Sequence, residues 1–127
     1  MAKQQQKGIG RIIKAGYYSY LGFKAGWINE AAVRQEIVLA VIMSIAAVFI
    51  AADVLRFLLL IIFPWLTVAF ELANSAIEAV VDRIGPERHE LSGRAKDLGS
   101  ACVFVLLALT FLVWALLISE IYLGNFF

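Results

Sequence analysis

The chain has 127 residues, 62% of them hydrophobic, and a formal net charge of +1. Soluble domains are nearer half apolar, so this composition, with a mean hydropathy of +0.85, excludes an ordinary globular domain and indicates a membrane protein. The near-neutral charge gives no reason to expect nucleic acid. A single cysteine, Cys102, excludes an intrachain disulfide and, within an apolar run, reads as a small buried hydrophobe.

The first thirty residues lack an apolar run of signal-peptide length before a small-x-small site, so insertion is expected to depend on the spans. Lys7, Arg11, Lys14 and Tyr18 recur at i, i+4, i+7 and i+11, with Ile9, Ile12, Ile13, Tyr17 and Tyr20 over much of the rest. That pattern predicts an amphipathic helix over about 7–27, its basic face suited to the headgroup boundary and its later part loosened by Gly16, Gly22 and Gly26. Residues 37–52 are uncharged and, with Arg34 and Glu36 at the mouth, predict a first span over about 34–52. A second span is expected over about 56–82, where Pro64 should kink the helix without breaking it. The third, over about 98–120, is the cleanest.

The expected fold is therefore an all-α membrane protein of one domain, with three transmembrane helices and an N-terminal amphipathic surface helix. Ten of the eleven Lys and Arg precede the first span or lie between the second and third; only Arg56 lies on the other side. The positive-inside rule then puts the N-terminus and a large 82–97 loop in the cytoplasm and a tight turn at 53–56 outside.

Glu71, Glu78 and Asp82 conflict with the second span's apolar character. An ionised carboxylate in hydrocarbon is costly enough that it normally marks a functional site. At about 100° per residue, Glu78 and Asp82 fall about 20° to either side of Glu71, with Asn74 and Ser75 at about −60° and +40°. Five polar groups thus share an arc of about 100° through three turns. The same end of the chain carries Glu30, Arg34 and Glu36, then Glu87, Arg88, His89, Glu90, Arg94, Lys96 and Asp97. Hard carboxylates beside Lys and Arg suit a magnesium–nucleotide complex, in which one or two carboxylates and the phosphates share the cation. There is no GxxxxGK[ST] loop and no protein-kinase glycine loop. A proton relay or coupled transporter would use the same membrane carboxylates, so the residues alone leave both readings open.

The segment ELANSAIEAVVDRIGPERHELSGRAKDLGSA (71–101) resembles the signature of the small integral-membrane diacylglycerol kinases of bacteria. RIIKAGYYSYLGFKAGWINEAAVRQE (11–36) resembles that family's surface helix and first-span entrance. The resemblance implies a homotrimer in the bacterial inner membrane that phosphorylates diacylglycerol with ATP and Mg2+. It implies Glu71 as general base, Asn74 as the residue orienting it, and Glu30 and Glu78 as magnesium ligands. Arg11, Tyr18, Glu30, Glu78, Glu87, Arg88, His89, Lys96 and Asp97 match nucleotide contacts. Arg11, Ser19, Tyr20, Trp27, Arg34, Glu36, Glu71, Ser100 and Trp114 match the lipid site.

Tyr20 stands where the family often has tryptophan, and Leu21 where it often has lysine, which puts contacts at the lipid edge in doubt but not the catalytic centre. Undecaprenol kinases share the fold, but the AVRQE segment at 32–36 looks more like the diacylglycerol type. A small proton-coupled transporter would not need Glu30, Glu87, Lys96 and Asp97 gathered at one face. Without the resemblance, His89 and Glu87 would read as solvated loop residues. Asp82 would read as a structural partner of Arg83 or of a neighbouring protomer. Three thin helices cannot enclose ATP and lipid alone, so sites shared between protomers are expected.

Overall fold

A computed structural model of the chain describes residues 8–124. Lys7, the first member of the expected basic stripe, lies outside them. Four helices follow in order: α1 (Ile9–Asn29), α2 (Ala31–Ile50), α3 (Val54–Ile84) and α4 (Glu90–Leu123). The last three are long and apolar enough to cross a membrane.

Helix length explains where the charges emerge. At about 1.5 Å per residue, the 20 residues of α2 match a hydrocarbon core of about 30 Å. The 31 residues of α3 and 34 of α4 are longer by some 15–20 Å. A short turn pins the start of α3 to the end of α2. The surplus of α3 therefore projects at the other end, with the segment of α4 that carries Lys96 and Asp97.

That turn is tied on three sides. Asp53 Oδ1 accepts from the Arg56 backbone N–H at 2.9 Å and caps α3. The other Asp53 oxygen pairs with the Arg56 guanidinium, which also reaches Glu120 near the end of α4, Nη2 to Oε1 at 2.5 Å. The Arg56 N–H and guanidinium hold the Asp53 carboxyl below its ordinary range. The one cation expected at this end is thus used to fasten α3 to α4.

Helix α3 packs against both α2 and α4, and α1 rests on α2 and α3; among the described residues α2 and α4 do not touch. The spans form an open layer with α3 in the middle. On α3 the buried stripe is Leu60, Pro64, Thr67, Val68, Glu71 and Asn74. It faces Val33, Ala40 and Ala47, seven residues apart on α2, and Gly99, Val103 and Thr110 on α4. Small residues let spans approach closely, which matters where lipid offers no hydrophobic drive between helices.

Three features depart from the sequence expectations. Helix α1 runs unbroken through Gly16, Gly22 and Gly26. Gly26 serves close approach, since a Cβ there would stand 3.0 Å from Leu72 Cδ2 and from Val33 Cγ1. The large 82–97 loop contracts to residues 85–89, because α4 already starts at Glu90. His89 Nδ1 caps it by accepting from the Leu91 N–H at 3.1 Å, and Glu90 pairs with Arg94 one turn on at 2.8 Å. Cys102 is exposed rather than buried, because α4 packs on α3 alone and leaves most of its circumference outward. Helix α3 passes through Pro64 without a break, as expected.

Candidate active site

The buried stripe of α3 turns polar toward its C-terminal end. Glu71 and Asn74 are only 8% and 7% exposed, although neighbouring turns face outward. Asn74 Nδ2 donates to Glu78 Oε1 at 3.3 Å. Its Oδ1 is buried without a hydrogen-bond partner among the described residues. That oxygen presses on Gly99 of α4, where an added Cβ would overlap it. The charges of Glu36, Glu78 and Glu30 are all felt at Glu71. Carboxylates from the α1–α2 junction, from α2 and from α3 therefore share one neighbourhood.

The α1–α2 junction places Glu30. Its extended backbone (φ −116°, ψ 109°) ends α1 and begins α2. Arg34, one turn into α2, folds back: Nη1 donates to the carbonyls of Trp27 at 2.7 Å and Ile28 at 3.1 Å. Carbonyls of a last helical turn lack intrahelical donors, and this guanidinium supplies them, fixing the bend beside Glu30.

Three hollows lie around the α1–α2 junction and the α3–α4 connection. A crevice of about 510 Å3 between α1 and α3 is lined by Ser19, Gly26, Asn29 and Glu30 on one wall and Ser75 and Ala79 on the other. A second, of about 520 Å3, wraps the α3–α4 connection and is lined by Asp82, Glu87, Arg88, His89 and Lys96. A shallow groove of about 560 Å3 runs down α2 beside Trp27, Arg34, Val38 and Ile42.

The residues singled out in the sequence are thus sorted. Glu30, Glu36, Glu71, Asn74 and Glu78 gather around the C-terminal half of α3. Glu87, Arg88, His89 and Lys96 border one hollow, Ser19 and Glu30 another, and Trp27 and Arg34 the third. Arg11, Tyr18 and Tyr20 lie on the exposed α1 and line none of the three, and Asp97 and Ser100 are exposed on α4. Trp114 lies farther along α4, half-buried, with its indole donating to the Leu60 carbonyl at 3.0 Å. Among the described residues no three His, Cys, Asp or Glu side chains are grouped to hold a metal ion, and Glu30 and Glu78 belong to no such group.

Two partners differ from expectation or were missed. Asp82 pairs with Lys96 Nζ at 2.6 Å and not with Arg83, because Lys96 faces α3 from the adjoining helix while Arg83 points about 100° away from Asp82. Glu120 was not singled out, although Arg56, the one basic residue at its end of the spans, signals a missing carboxylate.

An apolar three-span layer that buries a single carboxylate among its described residues, with further carboxylates and basic groups toward the same end, fits a membrane-embedded enzyme. The prokaryotic diacylglycerol kinase family matches this chain over residues 17–118. The chain is 50% identical over 111 residues to the diacylglycerol kinase of Escherichia coli, covering 87% of this chain and 91% of that protein. It is 47% identical over 107 residues to that of Haemophilus influenzae (84% and 91%), and 44% over 110 residues to that of Pseudomonas aeruginosa (87% and 89%). The chain belongs to the prokaryotic diacylglycerol kinase family.

The contact between Gly99 and Asn74 gives a prediction. Gly99→Ala is expected to push α4 off α3 at a cost of about 1–3 kcal/mol and to lower turnover at least tenfold. Gly16→Ala on the exposed α1 has open space, lies outside all three hollows and should leave turnover unchanged, with a slight gain in thermal stability from better helix propensity. Thermal unfolding and turnover in detergent, measured on both variants, check the pair.

Proposed function

We propose that the chain transfers the γ-phosphoryl group of ATP to the hydroxyl of 1,2-diacylglycerol, giving phosphatidic acid at the cytoplasmic face of the bacterial inner membrane. The observation that carries this is the buried Glu71–Asn74 pair, set among other carboxylates where α3 emerges from its apolar stretch. Phosphoryl transfer asks a protein mainly for positioning, charge neutralisation and a base on the nucleophile. Glu71 takes the proton from the lipid hydroxyl as that oxygen bonds to the γ-phosphorus and the bond to the bridging oxygen of ADP breaks. Asn74 holds its place between Glu71 and Glu78.

Two hard carboxylates are what magnesium needs when phosphate oxygens complete its shell, so Glu30 and Glu78 fit as its protein ligands. Bound with ATP, the cation supplies neutralisation of phosphate charge. Arg88, His89 and Lys96 border the hollow that suits the nucleotide's anionic end, with Lys96 exchanging Asp82 for phosphate. Trp27, Arg34 and the α2 groove suit the lipid, at the depth where a headgroup hydroxyl meets Glu71.

The open layer supports a homo-oligomer, a trimer by resemblance, with sites between protomers. On α4, Gly99 faces α3. Asp97 lies about 200° around the helix from Gly99 and so points away from its own Glu71, toward where a neighbour would stand. The concentration of Lys and Arg at the Glu71 end supports a cytoplasmic orientation for that end.

Phosphate transfer from labelled ATP in mixed micelles tests the substrate: diacylglycerol should be phosphorylated and undecaprenol poorly, and the reverse order would overturn the assignment. Glu71→Gln should lower turnover about 10²–10⁴-fold while the protein still binds MgATP. Turnover within tenfold of wild type would remove Glu71 as the base.

Glu30→Gln and Glu78→Gln should each raise the magnesium concentration needed for half-maximal activity, because each removes a hard anionic ligand. Magnesium titrations that overlay wild type for both variants would contradict the metal assignment.

A further inference from the structure

Proline has no N–H, so Pro64 cannot donate to the carbonyl four residues before it, that of Leu60. Leu60 is 1% exposed and Pro64 is buried, in the middle of a span where no water can reach an unpaired carbonyl. Trp114 on α4 supplies the missing donor: its indole Nε1–H reaches the Leu60 carbonyl at 3.0 Å. One turn on, Thr67 Oγ1 donates to the Phe63 carbonyl at 2.8 Å and lies 3.5 Å from Thr110 Oγ1 of α4. The carbonyl freed by the proline is thus taken up by a side chain, as spans require.

We infer that Trp114 is a positioning residue for the phosphoryl transfer, acting through the Leu60 carbonyl that Pro64 leaves without its helical donor. Pro64 stands seven residues before Glu71, about 10 Å along the axis of α3. A change of direction of about 10° there carries Glu71 through about 2 Å. Misplacement of a catalytic group by about 1 Å can cost on the order of 100-fold in rate. The indole bond couples that direction to α4, whose Gly99 cradles Asn74. One face of α4 therefore fixes both the aim of α3 and the seat of its C-terminal half.

The inference rests on the reading of Glu71 as the base, and its test separates the two. Four proteins are compared in mixed micelles: wild type, Trp114→Phe, Pro64→Ala and the double variant. With Pro64 in place, Trp114→Phe should lower kcat about tenfold, with KM for ATP and for lipid unchanged. In the Pro64→Ala background the same change should matter less than twofold, because the N–H of the introduced alanine now takes the Leu60 carbonyl. An equal loss in both backgrounds, no loss in either, or an effect carried by KM for the lipid would overturn the inference. Should Pro64→Ala itself impair turnover, the thermal unfolding midpoints of the four proteins close the same cycle without reference to Glu71. Non-additive midpoints support the bond, and additive ones overturn it.

Discussion

Everything in this fold follows from one constraint: α3 must cross hydrocarbon while carrying a carboxylate and an amide. Neither Glu71 nor Asn74 can face lipid, so both continue the stripe that α3 buries against its neighbours. That requirement puts α3 in the middle of the layer, with small residues of α2 on one flank and Gly99 of α4 on the other. The excess length of α3 and α4 then lifts Asp82, Lys96 and the connection clear of the hydrocarbon, toward water and its nucleotides.

The polar groups of the spans divide into two kinds. Ser44, Thr67 and Thr110 each donate to a carbonyl four residues back on their own helix, and Ser119 to one three residues back. Trp65 donates to Ser44 across the α2–α3 contact at 2.9 Å, and Trp114 to Leu60 across α3–α4. These groups are spent on structure. Asn74 Oδ1 is buried and unmatched among the described residues, and Glu71 sits among other carboxylates. Such a gathering costs folding stability, and its retention is intelligible where a substrate and a cation enter.

The four helices were legible because their signals are periodic or compositional. Long uncharged runs set the spans, and the wheel position of Glu71 and Asn74 put both on the face that is buried. Helix contacts were not legible, since they depend on which faces meet. The wheel shows that Asp82 shares the arc of Glu71, but only the packed α3–α4 pair shows Lys96 across from it. Gly26 read as a loosening residue because propensity is local, whereas its purpose is the approach of Val33 and Leu72. Arg34 read as part of a lipid entrance, and the structure adds its capping of α1, invisible until the bend at Glu30 is known. Pro64 and Trp114, fifty residues apart, carried no joint signal at all.

Among the described residues α2 and α4 do not meet, and the proposed site would be completed by a neighbouring chain. Lys96 faces its own α3, while Asp97, one residue on, faces away from it. The most direct test is to co-assemble two inactive variants, Glu71→Gln and Asp97→Asn. Mixed assemblies should regain part of the wild-type turnover, because some sites then receive an intact Glu71 from one chain and an intact Asp97 from the next. Mixtures that demonstrably co-assemble yet stay as inactive as either parent would place both residues in one chain and contradict the shared site.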